Sequence, residues 1–364
     1  MVTFLPFDEQ NLQIPDNMKR YKLIFLCLWL VFPVMAQSSD SIHFKVQKYM
    51  DQVEVYVDSV LFTAYRHESA LEKPVLFPVH APDGSPVSRG YPLAPRKKER
   101  VDHPHHVGLW LNFGDVNGFD FWNNSSAVPD DRKGAYGRIV HRSIEQLDSQ
   151  GSSGRLSVVL DWMAPDNEQA EKLIEESATY LFSIQAGVWI IDRITSLTAV
   201  AERVRFTDNK EGMLAIRVDR AFEHPSQSPV ILSDSKGKPS GEATVDNVGV
   251  TGWYTNSEGD EGLEAWGKNA SWVRLTGNKA GADYTLVLMD HPQNINYPAC
   301  WHARGYGLFS VNNLGRNVYN RKLEKFQLVL GKGESLQFRH RFIVGQGRLD
   351  VETIQELYQD FTAE

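Results

Sequence analysis

The sequence predicts an all-β fold, a large antiparallel β-sandwich with little helix, on three observations. Runs of β-branched and aromatic residues alternate at period two and are bounded by Gly, Asp, Asn or Pro, the pattern of half-buried strands joined by turns. Helical periodicity is convincing in one stretch, VETIQELYQDF near the C-terminus. No Pro/Ser linker, low-complexity tract or fixed-period repeat divides the 364 residues. Sandwiches of this kind extend well beyond the usual domain length of about 150 residues.

From Met18 a cationic MKRYK precedes 13 apolar residues, Leu23 to Met35. A membrane-spanning helix needs about 20 apolar residues, so this run is read as a secretory signal. Translation is expected to start at Met18 and cleavage to follow Ala36, with Val34 and Ala36 at the small-residue positions. The expected division is therefore residues 1–36 as N-terminal extension and signal peptide, and 37–364 as a single β-sandwich domain. The mature chain is expected to be periplasmic or secreted, with no membrane span. Cys27 leaves with the signal and Cys300 remains alone, so no intrachain disulfide supports the fold.

Strands are expected in FKVQKYMDQVEVYVDSVLFTAY, RLSVVLDW, ATYLFSIQAGVWIIDRITSLTA, YTLVLMD, FQLVLGKG and SLQFRHRFIVG. The segment NEQAEKLIEE reads either as a helix capped by Asp166 or Asn167 or as a further strand. Between Pro229 and Gly262 the chain is loop-like, and a loop this long is expected to wall a binding cleft. Lys+Arg 38 against Asp+Glu 46 gives a net charge of −8, which argues against a nucleic-acid partner.

The densest chemistry is Asp102-His103-Pro104-His105-His106. On an extended backbone His103 and His105 share one face and His106 takes the other, a spacing compatible with a metal or with one sugar ring. The following NFGDVNGFDFW places Asp115, Asn117 and Trp122 around two glycines; a sugar needs an apolar platform and planar hydrogen-bonding groups, and Trp122 is the expected platform. In KEGMLAIRVD, Glu211 precedes a Gly turn, while Arg217 and Asp219 share a strand face. A second Asp-His-Pro, at Asp290 and His291, leads to Cys300, His302 and Arg304; two His-bearing loops are expected to converge as an acid and a base. Cys300 reads as a packed thiol. GLEAWGKN nearly matches a phosphate-binding loop but ends in Asn269 and runs into strand-like SWVRLTG, so nucleotide binding is rejected. No GxSxG, HExxH or CxxC occurs.

Together the segments DHPHHVGLW, NFGDVNGFDFW, YGRIVH, DNKEGMLAIRV, NSEGDEGLEAWGKNASWV and DHPQNINYPACWHARGYGLFSVN resemble the bacterial DUF6807 family, often called PmoA family protein or methane oxygenase PmoA. Departures from the family pattern fall at Asn269, Ile295 and Asn312-Asn313-Leu314-Gly315. A copper methane oxygenase is an integral membrane complex, so the label is read as a misnomer. The resemblance implies a secreted sandwich similar to galactose-mutarotase-like proteins, whose sugar chemistry uses His and carboxylate side chains without a redox cofactor.

The expected function is a carbohydrate-active enzyme acting on a small sugar or oligosaccharide at or near the anomeric carbon, by cleavage or isomerisation, with no cofactor or metal. His105 or His106 is the expected general acid and Glu211 or His302 the base. Arg217 with Lys268 is expected to bind an anionic or hydroxyl-rich group, with Asp115, Asn117, Trp122, His291 and Arg304 as further sugar contacts. The rival readings are a non-catalytic glycan-binding protein and a metal-dependent oxygenase using His103, His105 and a distant histidine.

Overall fold

A computed structural model describes residues 40–47, 50–165 and 171–363. The expected signal segment and its cleavage point at Ala36 lie outside these residues, as does the first half of NEQAEKLIEE; from Lys172 onward that segment is strand. Residues Ser39–Glu364 cluster as one unit.

The strands follow in order as β1 (Ile42–Gln47), β2 (Gln52–Val57), β3 (Val60–Arg66), β4 (Val75–Val79), β5 (Leu109–Phe113), β6 (Arg138–Gln150), β7 (Ser153–Met163), β8 (Lys172–Gln185) and β9 (Val188–Ala199). They continue as β10 (Arg203–Thr207), β11 (Gly212–Arg217), β12 (Trp253–Asn256), β13 (Trp272–Lys279), β14 (Ala282–Asp290), β15 (Cys300–Trp301), β16 (Leu308–Asn312), β17 (Gln327–Gly331) and β18 (Ser335–Gln346). The helix expected at the C-terminus is α1 (Val351–Ala363). One eight-stranded sheet runs β1-β2-β3-β4-β5-β11-β16-β15, a second runs β12-β13-β14-β18-β9-β8-β7-β6, and β10 pairs with β17 apart from both. The ladders joining neighbouring strands are antiparallel.

Period two sorts the side chains onto faces. Leu109, Leu111, Leu214 and Ile216 of the first sheet, and Ile191, Leu286, Phe338 and Phe342 of the second, meet in the core between the sheets. The alternate residues of the second sheet, among them Val287, Met289 and Ile343, are covered by Ile354, Leu357 and Phe361 of α1. The alternate residues of the first sheet, Trp110, Ala215 and Leu308, form a separate apolar layer with Val107 and Trp122. That outer layer is the floor of the candidate site.

Two hairpins close with the same two-residue turn, Ala186-Gly187 between β8 and β9 and Ala280-Gly281 between β13 and β14, and all four residues have positive φ. This is the left-handed pair that a tight hairpin requires and that alanine tolerates poorly. Nothing lies within 4 Å of a Cβ added at Gly187, so the turn is limited by backbone conformation and not by space. Ala186→Asn is expected to stabilise the chain by about 0.5–1 kcal/mol, read as a small rise in the urea midpoint. An unchanged or lowered midpoint would contradict this reading of the turn.

The second Asp-His-Pro triad falls at the end of β14 and serves the fold. The Asp290 carboxylate accepts hydrogen bonds from Asn294 Nδ2 (2.7 Å), Asn313 Nδ2 (2.9 Å) and the Ala299 backbone N–H (2.8 Å). Burial pushes its carboxyl up to about 6. His340 of β18 completes the network through Nε2 at 2.9 Å from Asn313 Oδ1.

Candidate functional site

Arg217 ends β11 two positions beyond Ala215, so its fully buried side chain lies on the outer face of the first sheet. Its Nη2 donates to Asp102 Oδ1 at 2.7 Å, Nη1 meets His106 Nδ1 at 3.1 Å, and its guanidinium carbon stands 4.9 Å from the centre of the Tyr306 ring. Arg89, equally buried, grips the same carboxylate oxygen at 2.7 Å. Through Nη2, Arg89 also donates to the carbonyls of His103 (2.8 Å) and His106 (3.1 Å).

The histidine motif therefore wraps around a guanidinium instead of lying extended as the sequence pattern implied. His106 N–H closes the turn onto the His103 carbonyl at 3.0 Å, and His103 takes a left-handed backbone with φ of 45°. A non-glycine residue held there is uncommon and clusters at functional sites. The turn reverses the expected pairing: the rings of His103 and His106 stack with centroids 4.9 Å apart, and His105 meets both edge-on. Tyr306 stacks on His103 from the other side, at 5.0 Å.

Charge is distributed unequally over this cluster. Burial alone would raise the Asp102 carboxyl, but Arg217, His103 and Arg89 outweigh it and hold it well below the usual carboxylate range. Burial and the neighbouring Arg217 bring Arg89 down to about 9. Burial, reinforced by Lys73, takes His105 down to about 2, and burial with His105 and Arg217 drives His106 well below its ordinary value. Burial favours the neutral form of both imidazoles, which weighs against the expectation that one of them is the general acid. His103, its side chain 39% exposed, presents Nδ1 3.3 Å from Asp102 Oδ2. Asp102→Asn would leave the guanidiniums of Arg89 and Arg217 buried without an anion. It is expected to cost about 3–5 kcal/mol of stability, measured by chemical denaturation, and a loss below 1 kcal/mol would contradict this account of the pair.

A second acid–base pair stands beside the first. Glu211 precedes β11, and His302 follows β15 with its backbone N–H bonded to the Ser310 carbonyl at 2.9 Å. His302 Nδ1 lies 3.7 Å from Glu211 Oε2, and Lys210 also pairs with Glu211. Burial, then Lys210 and Arg304, take His302 down to about 3, and the charge of His103 reaches it as well. The Tyr306 phenol, raised first by burial, feels both Glu211 and Asp102.

From Tyr306 a cleft of about 590 Å³ opens, walled by Arg100, His224, Leu263, Trp266 and Arg304. The Pro229–Gly262 loop expected to form this wall does not reach it; the segments just outside, His224–Ser228 and Leu263–Trp266, do. Around the cluster and cleft, His105 Nε2, His106 Nε2, Trp122 Nε1, Trp266 Nε1 and Arg217 Nε are buried with no hydrogen-bond partner among the described residues. Buried polar groups are normally satisfied, so this concentration marks a place that water or a polar ligand completes.

The remaining expected site residues fall as follows. Trp122 is wholly buried against Trp110 and His106, at 5.3 and 5.8 Å, so it supports the histidine and offers no face to a sugar; Trp266 and Tyr306 line the cleft in its place. Asp115 Oδ1 accepts the Gly118 N–H, and Asn117 binds the backbone of Arg203 and Arg205, so both pin a turn to β10. Lys268 is exposed and 3.6 Å from Asp260, and Arg217 is committed to Asp102 and His106, so the two do not form a joint anion site. His291 packs edge-on against Phe361 of α1 at 5.1 Å, so the two Asp-His-Pro loops do not converge. Cys300 is buried and its thiol is pushed up to about 11 by burial, consistent with a packed thiol. Among the described residues no three His, Cys, Asp or Glu side chains are grouped to hold a metal ion, and no helix is long and apolar enough to cross a membrane.

Sequence reasoning gave no role to Arg89, Tyr306 or Trp266, and it left Asp102 and His103 outside the acid–base assignment. Asp102 and His103 stood inside the motif it singled out, but only the left-handed turn reveals which ring faces the carboxylate. Arg89 and Trp266 carry no local signal.

The chain is an antiparallel two-sheet β-sandwich with a histidine-rich site on the outer face of one sheet. It belongs to the DUF6807 family, a family of unknown function, whose pattern covers residues 52–359. No curated protein sequence matches it. Solved structures with a similar course include a galactose mutarotase-like protein from Clostridium acetobutylicum, with 10% identity and a TM-score of 0.34, covering 85% of this chain and 99% of that one. A beta-arabinopyranosidase matches with 11% identity and a TM-score of 0.32, covering 85% of this chain and 38% of that one. A galactose mutarotase related enzyme from Lactobacillus acidophilus matches with 9% identity and a TM-score of 0.28, covering 84% and 97%.

Proposed function

We propose that the chain is a secreted carbohydrate-active enzyme that acts on a sugar at or near the anomeric carbon through the acid–base chemistry of its own side chains. The observation that carries this reading is the presence of two His–carboxylate couples, Asp102–His103 and Glu211–His302, the first of them stacked on Tyr306, which lines an aromatic-walled cleft.

In this reading His103 moves the proton. Asp102, fixed by two guanidiniums, orients the ring through Nδ1 and stabilises the positive charge that appears when Nε2 accepts a proton. The 3.3 Å contact is loose for a hydrogen bond, as couples of this kind often are before substrate arrives. Having taken up that proton, His103 delivers it from Nε2 to the departing oxygen, and Glu211 with neutral His302 accepts the proton released in the same step. His106, wholly buried, backs the ring of His103, and His105 lines a separate small pocket, so neither is a sugar contact in the cleft. Trp266 gives the apolar ring face its platform. Ring opening and glycosidic cleavage both need a proton moved at an oxygen on the anomeric carbon, and this arrangement serves either. Export by the N-terminal segment, with cleavage near Ala36, is part of the proposal and rests on the cationic start and short apolar run.

The test is incubation of the purified chain from Gln37 onward with a panel of glycans, read by mass spectrometry for cleaved products and by NMR for changes at the anomeric centre. Conversion supports the reading. A glycan that is bound and returned intact favours the non-catalytic glycan-binding alternative.

A further inference from the structure

Arg304 differs from the other arginines around the site. Arg89 and Arg217 share the Asp102 carboxylate, and Arg100 in the cleft wall donates to Glu223 at 2.6 Å. No carboxylate or carbonyl among the described residues accepts from the Arg304 guanidinium. It is held instead by two ring faces, with its carbon 5.7 Å from the centre of Trp266 and 5.6 Å from that of Tyr306. Its backbone is fixed by the N–H bond to the Leu308 carbonyl at 2.8 Å, and its carbonyl accepts from Gly307 N–H at 2.9 Å and from the Tyr254 hydroxyl at 3.2 Å. Aromatic faces engage the plane of a guanidinium and leave its edge, with the N–H donors, unspent. Arg304 therefore presents a pre-positioned cationic fork to the cleft.

The nearby acids do not cancel it. Glu223 is held by Arg100 and Arg220, Asp102 by Arg89 and Arg217, and Glu211 by Lys210. We propose that Arg304 receives an anionic substituent of the sugar, the carboxylate of a uronic acid or a sulfate ester, placing the neighbouring ring beside Trp266 and its reacting carbon toward the two His–carboxylate couples. A carboxylate and a sulfate both offer two oxygens at the spacing of the guanidinium fork. The proposal names the substrate class of the site described above, and so rests on that reading for its consequence in catalysis, though not for binding.

The experiment is calorimetric titration of the full chain with matched pairs: trigalacturonate against its carboxyl-reduced counterpart, and a sulfated galacto-oligosaccharide against its desulfated counterpart. The expected result is that at least one charged member binds about tenfold or more tightly than its neutral partner. Arg304→Gln abolishes that preference and Arg304→Lys retains part of it. Which pair shows the difference identifies the anion. Equal affinity within both pairs, no binding of any charged probe, or a preference that survives Arg304→Gln overturns the proposal. Salt titration of the unmodified chain gives an answer that does not depend on a variant folding: weakening of the charged ligand alone supports the ion pair, and salt-insensitive binding overturns it. Conversion of neutral and charged glycans alike sinks this inference and leaves the enzyme reading standing. Tight, Arg304-dependent binding without conversion does the reverse.

Discussion

His103→Asn lowers turnover on a converted glycan by about a hundredfold to ten-thousandfold, with little change in KM. Asparagine is the replacement that isolates the effect, because it tolerates the left-handed backbone that residue 103 adopts. It also shortens the side chain, so that nothing remains at the position of Nε2. The side chain is 39% exposed, so its removal leaves no large buried cavity. The thermal midpoint checks that the fold persists, and single-turnover kinetics separate chemistry from binding. A variant that folds and keeps its turnover would remove His103 from the mechanism. If His103 acts only by stacking on Tyr306, the loss would appear in KM instead.

Acid unfolding is the second large effect. His105 stands at about 2, His302 and His340 at about 3, and His106 well below its ordinary value, each chiefly because burial opposes the charge. In the unfolded chain each returns to about 6.5. Their contribution to stability is complete above that value and is lost as pH falls below it, because the unfolded state then binds protons that the native state refuses. Asp290 works in the opposite sense. Its carboxyl stands at about 6 when folded, so between about 6 and 4 the native state holds a proton that the unfolded state has released, and stability from this group grows as pH falls. The depressed imidazoles outnumber the raised carboxyls, His141 at about 4 among them and Asp192 and Glu223 with Asp290 opposing, so unfolding takes up protons near pH 5 and stability falls as the pH drops. Urea unfolding at pH 6, 5.5, 5 and 4.5 measures that slope directly. His340→Gln is expected to reduce it by about one proton, and a flat profile would contradict the burial of these rings as neutral groups.

How much of this was legible beforehand depended on whether the information was local. Alternation at period two is local, so RLSVVLDW, YTLVLMD and SLQFRHRFIVG are found as strands β7, β14 and β18, and the 3.6-residue period of VETIQELYQDF as α1. Strand order is not local. Nothing in the residues reports that β5 pairs with β11 across 99 to 107 positions, and that pairing brings Trp110, Ala215 and Arg217 under the histidine turn. The histidine motif stands out by its density; His105, His106 and Arg217 pack together, and Glu211 meets His302. An extended backbone would put His103 and His105 side by side, whereas Arg89 gathers the carbonyls of His103 and His106 into a turn, which local sequence does not report. Trp122 was misjudged because composition cannot separate a tryptophan that lines a cleft from one that floors it. His291 repeats a motif in sequence, but its strand delivers it to the face covered by α1.

The measurement that bears most directly on the central claim is the rate of product formation from a converting glycan, in excess chelator, for the unmodified chain and for His103→Asn and Glu211→Gln. The account requires conversion that continues in chelator and falls by about a hundredfold or more in each variant, both remaining folded. Conversion that stops with chelator and is restored by an added metal, or that continues undiminished in both variants, would contradict it.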